Sequence, residues 1–424
     1  MTHIKPFNAL IYNQEKIRDL SKVVCPPYDV ISEKERDKLY HTDDFNLVRI
    51  LLPKEEHKDG KLIDKYSNAK LKFLNWQKEK IFVCDKNRAI YFYLQRFPFK
   101  GENRTRLGFI GLMRLKASGK SSIYPHEHTY QEHKDDRFAL LKTVKANLSP
   151  IFTLFSDEKR QVNLIFNNYV SKEKPLVDIV DSDRIVHQVW RLDDVKLVRR
   201  LIDYMKNKNI FIADGHHRYE VACEYRDSLL RPKRKGTNLG NAGFNYIMTY
   251  FVDMNSQGLT VLPIHRLVKA LPLDWKEKLE EFFNIEKALD SQELFLLMKK
   301  AASGEHVFGM YLPGHYYFLR LKNERLIDKA IEGDSYHYNR LDVALLKKLV
   351  FEKLLKISAS DVTYIKEEIE AIEAVNNGKF KAVFFLSPTK LEQIKTIALN
   401  NEKMPQKSTF FYPKLLSGLL IHKF

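Results

Sequence analysis

The stretch IFIADGHHRYEVA, Ile210 to Ala222, reads as a strand, a tight turn and a helix in succession. Ile210, Phe211 and Ile212 form a short β-type apolar run. Asp214-Gly215 is a turn dipeptide, and Gly215 has ready access to positive φ. Tyr219, Ala222 and Cys223 then recur at the spacing of one helix face. A strand that breaks at glycine into a helix N-terminus makes an anion cradle, because open backbone N–H groups and the helix dipole both favour negative charge. Arg218 adds a planar fork for phosphate oxygens. His216 and His217 donate hydrogen bonds or move protons near neutral pH. Plainer roles exist for the same residues: Asp214 as a helix cap and His217 as a packed core residue.

The rest of the composition sets the frame for that turn. At 424 residues and 44% hydrophobic content the chain has material for two or three domains with sizeable cores. No run of about eighteen apolar residues suggests a membrane span. The first residues, MTHIKPFNALIYNQEK, lack an apolar signal core, so a cytoplasmic setting is expected. Cys25, Cys84 and Cys223 are widely spaced, which argues against a disulfide framework and against a cysteine zinc site. The formal charge of +17 would attract nucleic acid or small anions, but it is thinly spread. Its densest cluster, Arg231-Pro-Lys-Arg-Lys235, reads as a solvated loop after the helix that follows the turn. Neither zinc-finger spacing nor a helix-turn-helix pattern supports nucleic acid as a partner.

Periodicity divides the chain into three segments, 1–149, 150–270 and 271–424, each mixing strands and helices, so a mixed α/β (α+β) class is expected. In the first segment, Pro26 and Pro27 predict an extended turn at Tyr28-Asp29. Ser32 caps a helix over 33–40, with Glu35 at the capping-box position. A second helix is expected over 62–80. Strands over 89–97 and 106–115 form a hairpin about the loop 100–103. The second segment has a strand over 151–155, an amphipathic helix over 194–206, and the strand and helix of the opening stretch. Two β-prone runs follow, 246–252 and 259–264, the latter ending in His265-Arg266. The third segment holds a hairpin over 307–312 and 316–321, a helix over 342–355 and a strand over 381–386.

Two further stretches carry chemistry. YPHEHTYQEHKDDR, Tyr124 to Arg137, gathers His126, Glu127, His128, His133, Lys134 and Arg137 before a helix expected over 138–145. Histidine with carboxylates suits divalent metals. The spacing is not that of the HExxH zinc proteases, and a solvated loop is the plainer account. MPQKSTFFYPK, Met404 to Lys414, offers phosphate-binding donors at Lys407, Ser408 and Thr409, without the glycines of a Walker loop.

Taken together, CPPYDVIS (25–32), HEHT and KDDR within 126–137, IADGHHRYE (212–220), IHR (264–266) and MPQKSTFFYPK (404–414) resemble the domain-of-unknown-function 1015 family across nearly the whole chain. The DGHHR turn by itself is similar to the phosphate-binding element of the ParB/sulfiredoxin superfamily, which includes partitioning nucleotidases, sulfiredoxins and free serine kinases. That resemblance implies a ParB/sulfiredoxin-like core motif and a phosphate cradle of Gly215, His216, His217 and Arg218, with Asp214 preceding it. Sulfiredoxin has a Cys-His pair where this chain reads His216-His217, so sulfinic-acid repair is not implied. The free serine kinases carry a similar Asp-Gly-His turn. Members of the family are often encoded near serine-biosynthesis genes, an association that turns the expected substrate towards serine or phosphoserine.

The expectation is therefore a phosphoryl-transfer enzyme, kinase or phosphatase, acting on a small phosphorylated metabolite. His216, His217, Asp29 and Glu127 are its candidate catalytic residues. Asp214, Gly215, Arg218, Lys407, Ser408 and Thr409 would hold phosphate, with Tyr28, His126, Lys134, Arg137, His265 and Arg266 as further site candidates. ATP or ADP and Mg²⁺ are the expected cofactors. The alternatives are a ParB-like nucleotide switch associated with nucleic acid, and a divalent-metal hydrolase built on His126, His128 and His133. Arg218→Ala is expected to remove phosphate affinity and leave the fold intact.

Overall fold

The computed structural model describes residues 1–424 apart from 59–60, 117–121, 130, 231–240, 303 and 332, and apart from the side chains of 58, 61 and 133. The basic cluster 231–235 and the side chain of His133 thus lie outside the described residues. The described residues group into two compact units. The first comprises Met1–Pro125, Thr129–Thr260 and Pro413–Phe424, and so draws on all three segments of the sequence. The second comprises His126–His128 and Val261–Tyr412.

The first unit is built on a nine-stranded mixed sheet. Its strands are β1 (Ile4–Lys5), β2 (Ile90–Phe99), β3 (Glu102–Arg114), β4 (Ile123–Tyr124), β5 (Ile151–Phe155), β6 (Val177–Val180), β7 (Val186–Leu192), β8 (Ile210–Asp214) and β9 (Tyr246–Asp253). They lie in the order β6-β7-β2-β3-β9-β5-β8-β4, with β1 added to β3. The pairs β5–β9 and β8–β4 are parallel, while β5 meets β8 antiparallel. The β2–β3 hairpin turns on Lys100 and Gly101 alone, both at positive φ (49° and 84°), the turn whose twist matches its strands. The four-residue loop expected there is shorter because both strands run further.

Besides two helices over Glu33–Thr42 and Val48–Leu51, this unit has α1 (Lys65–Lys78), α2 (Gln131–Val144), α3 (Gln161–Asn168), α4 (Val195–Met205) and α5 (His216–Leu230). One core lies between the sheet and α3, α4 and α5, where Phe92, Phe109, Phe155 and Phe251 meet Ile165, Leu201 and Tyr219. Ile210 and Ile212 of β8 point into it, and Phe211, on the opposite face, stacks on Tyr124 at 5.4 Å. A strand buried on both faces explains why 210–213 reads as an unbroken apolar run. Helix α1 starts later than expected because the Asp64 carboxylate accepts from Tyr66 N and Ser67 N and fixes the cap there. Helix α2 starts seven residues earlier than expected, so Lys134 and Arg137 are helical.

The second unit holds a six-stranded antiparallel sheet of β10 (His265–Val268), β11 (Phe283–Ala288), β12 (Val307–Leu312), β13 (His315–Leu321), β14 (Val362–Ile365) and β15 (Ala382–Phe385). Their order is β11-β13-β12-β15-β10-β14. Helices α6 (Ser291–Lys300) and α7 (Glu368–Asn376) bury Leu294, Met298, Ala371 and Val375 against it. The run expected over 259–264 divides into Thr260–Leu262 and β10, because Pro263 between them has no N–H for a ladder. The helix expected over 342–355 is α-helical only to Leu345 and continues over Leu346–Leu355 with π-type hydrogen bonding. No helix among the described residues is long and apolar enough to cross a membrane.

Candidate functional site

Strand β8 ends on Asp214, Gly215 takes φ +91°, and α5 begins at His216. A Cβ on Gly215 would lie 2.8 Å from Ile151 Cγ2 and 3.0 Å from Arg218 Nη2. Both the dihedral and the space therefore require glycine. Gly215→Ala is expected to destabilise the first unit by about 1–3 kcal/mol, read as a lower denaturation midpoint; an unchanged midpoint would contradict this account of the turn.

Three side chains meet at the turn. Arg218 Nη2 donates to Asp214 Oδ2 at 2.7 Å, and Lys414 Nζ donates to Asp214 Oδ1. All three side chains are about 15% exposed or less. Arg218 Nη1 also donates to Ser149 Oγ (2.9 Å) and to the Pro150 carbonyl (2.6 Å). Arg218 is thus a bracket that ties the start of α5 to the chain before β5. Arg218→Ala is accordingly expected to cost stability as well as charge.

Burial alone would raise the Asp214 pKa, but Lys414 and Arg218, with His216 behind them, hold the carboxyl well below the usual carboxylate range. The folded value lies below the unfolded one of about 4. The stabilisation is therefore complete above about pH 4 and is lost as pH falls through the folded value. Asp214→Asn is expected to flatten the acid limb of the stability-against-pH curve; an unaltered acid limb would contradict the assignment. A carboxylate held this acidic is a poor general base at neutral pH, so its work is to orient the two cations.

Lys414 is placed from behind by a buried network. Arg106, fully buried in β3, donates through Nε to Gln95 Oε1 at 3.1 Å, and through Nη2 to Gln95 Oε1 and to the Pro413 carbonyl. Gln95 Nε2 donates to the Lys414 carbonyl at 2.9 Å. Sequence reading missed Lys414, Gln95 and Arg106. Lys414 ends a stretch that was read for its Lys-Ser-Thr, and the signal available was a cation closing a tyrosine-proline turn.

Beside the turn, Tyr28, Arg137, Ser149 and Arg218 line a cavity of about 60 Å³ with Leu148 and Val221. The Arg137 guanidinium stands 4.5 Å from the Tyr28 ring centroid and donates to the Leu51 carbonyl at 2.8 Å. Burial pushes the Tyr28 phenol up, and Asp29 adds to the rise. The cavity has room for a few waters and is well short of the several hundred Å³ of a nucleotide pocket. Asp29 is exposed. His216 is buried and His217 half-buried on the first turn of α5. Lys134 of α2 pairs with Glu220 (3.7 Å) and Glu224 (3.4 Å) of α5.

The second unit brings another group together. Lys407 takes φ +56°, and its N–H donates to Glu127 Oε1 at 2.5 Å. Met404 N donates to the His126 carbonyl at 2.6 Å, so 126–128 and 404–407 run side by side. Arg266 donates to the Ile264 and Lys407 carbonyls. The Ser408 hydroxyl donates to the Pro405 carbonyl, and the Ser408 carbonyl accepts from Thr389. Ser408 and Thr409 are both buried. Burial, with Arg266 adjoining, lowers His265 to about 4, and its Nδ1 accepts from Leu386 N. Among the described residues no group of three or more His, Cys, Asp or Glu is placed to hold a metal ion.

The profile described as protein of unknown function (DUF1015) matches residues 4–344. A search of curated proteins finds no match. Among solved structures the chain is similar to a mutant free serine kinase in complex with AMP, at 14% identity over 68% of this chain and 84% of that one, with a TM-score of 0.35. It is similar to a conserved hypothetical protein from Pyrococcus furiosus at 13% identity, 69% and 89% coverage and a TM-score of 0.35. SbnI from Staphylococcus aureus, truncated at its C-terminus, gives 10%, 73% and 85%, and 0.36. Overlaps this loose bear on neither chemistry nor ligand.

Proposed function

The chain belongs to the DUF1015 family of proteins of unknown function, and from that premise we propose that it is a phosphoryl-transfer enzyme whose phosphate site is the Asp214-Gly215 turn. One observation carries the reading: a left-handed glycine opens a fifteen-residue helix where two cations, Lys414 and Arg218, converge on Asp214. Phosphoryl transfer is governed by positioning and charge neutralisation, which this turn supplies through its N–H groups, the helix dipole and the two cations. Lys414 neutralises phosphate oxygens. Arg218 and Asp214 keep it aimed. His216 and His217, on the first helical turn, are the proton-moving groups.

The pair of reactants we assign is L-serine and phosphoserine, with ATP or ADP as the nucleotide. The similarity of the Asp-Gly-His turn to that of the free serine kinases supports this choice. The test is direct: the purified chain is incubated with ATP and L-serine, and separately with phosphoserine alone. Phosphoserine and ADP formed from the first mixture establish a kinase. Inorganic phosphate released from the second establishes a phosphatase. Neither product, under conditions where the chain is folded, contradicts the proposal.

A further inference from the structure

The second unit contains a cation that the phosphate site does not use. Arg266, on β10, is 5% exposed. Its Nη1 donates to the Ile264 carbonyl at 2.6 Å and its Nη2 to the Lys407 carbonyl at 3.0 Å. The guanidinium lies 4.5 Å from the Tyr364 ring centroid. Carbonyls and a ring satisfy donors and flank the plane, but neither supplies a counter-charge. No carboxylate among the described residues forms an ion pair with it, and Glu127 acts on it only at longer range. Burial accordingly lowers the guanidinium to about 10. A guanidinium has five N–H donors, so donors remain after two carbonyls are served.

Arg266 also lines a cavity of about 50 Å³. The other walls are mainly apolar, with Val343, Leu346, Phe351, Ile357 and Val362 among them, and Lys347, Glu352 and Gln406 lie on the same lining. On a scale where one water needs roughly 10–15 Å³, the space takes roughly three to five non-hydrogen atoms. One buried positive charge calls for one negative charge. A phosphate dianion calls for more donors than one guanidinium can offer, Lys347 on the lining being paired with Glu352 at 3.9 Å, and gains nothing from aliphatic walls. A carboxylate on a short aliphatic chain matches the guanidinium fork and the apolar walls.

We propose that Arg266 and this cavity form a binding site for a small aliphatic monocarboxylate, of about propionate size, in the second unit. The site is independent of the phosphate-transfer reading, because none of its residues belongs to the Asp214 turn.

The experiment is calorimetric titration of the full chain with sodium propionate at constant ionic strength, with sodium chloride and inorganic phosphate as parallel titrants. Saturable propionate binding in the millimolar range is expected, as befits so small a ligand, with no saturable signal from chloride and weaker binding of phosphate. Arg266→Met, which keeps the stem and removes the charge, is expected to weaken propionate binding at least tenfold. Since that variant also releases two carbonyl contacts, Val343→Phe, which fills the cavity and leaves Arg266 in place, is the second arm and should weaken binding as strongly. The absence of saturable propionate binding by the wild type would overturn the proposal. So would undiminished binding in a folded Val343→Phe protein, or phosphate binding tighter than propionate.

Discussion

Lys414→Ala is expected to weaken the binding of a phosphate-bearing ligand by about 10- to 100-fold while the chain stays folded. A charge-assisted hydrogen bond to phosphate, in a site this sheltered, contributes about 1.5–3 kcal/mol, and each 1.4 kcal/mol is a factor of ten. The Lys414 side chain is 15% exposed, so water screens it only in part. Asp214 keeps Arg218 as a partner when Lys414 is removed, so the carboxylate is not left alone. The accompanying loss of stability should therefore be moderate, about 1–3 kcal/mol, below the full cost of a buried charge without a partner. Calorimetric titration of wild type and variant with ADP and with phosphoserine reads the first effect, and denaturant unfolding reads the second. Equal affinity in the two proteins would remove Lys414 from the site.

The largest loss of stability is expected from Arg106→Met, at about 3–5 kcal/mol. Methionine fills much of the volume of the arginine stem. It leaves Gln95 Oε1 and the Pro413 carbonyl without their donor inside a buried region. Each buried acceptor stranded in this way costs about 1–3 kcal/mol. The same substitution loosens the chain at Pro413 and Lys414, so phosphate affinity is expected to fall with it, although Arg106 touches no ligand. Gln95→Leu removes the partner that bonds both Arg106 and the Lys414 carbonyl, and should shift affinity in the same direction. If Arg106→Met lowers stability and leaves affinity intact, the network supports the fold alone.

The turn was legible because its signals are local. A glycine between an apolar strand and a helical period needs no tertiary information, and the strand and helix that flank it lie within a residue of where periodicity puts them. Two other errors have identifiable physical causes. The polar start of α2 reads as a loop because Gln131 and Glu132 are exposed and no apolar stripe begins there. The π-type continuation over Leu346–Leu355 shares its apolar spacing with an ordinary helix.

The supports of the site were hidden for a different reason. Gln95 and Arg106 occupy strand positions whose residue types look like a solvated face. Only the pairing of β2 with β3 puts them opposite each other in register, inside a sheet covered on both sides. The carbonyls that cover them, of Pro413 and Lys414, come from more than 300 residues further along the chain, and contact at that range leaves no trace in local periodicity. The five motifs include a cation, Lys414, whose role depends on a partner 200 residues away.

We propose that the Asp214-Gly215 turn binds phosphate. Its most direct test is the melting temperature of the wild-type chain with ATP, ADP, phosphoserine or serine, each at the same millimolar concentration. A ligand at a hundred times its dissociation constant stabilises the folded state by about 2.7 kcal/mol, a shift of several degrees for a unit of this size. The prediction is an upward shift with phosphoserine or with a nucleotide, absent in Lys414→Ala. A wild-type melting temperature unmoved by every phosphate-bearing ligand would contradict it.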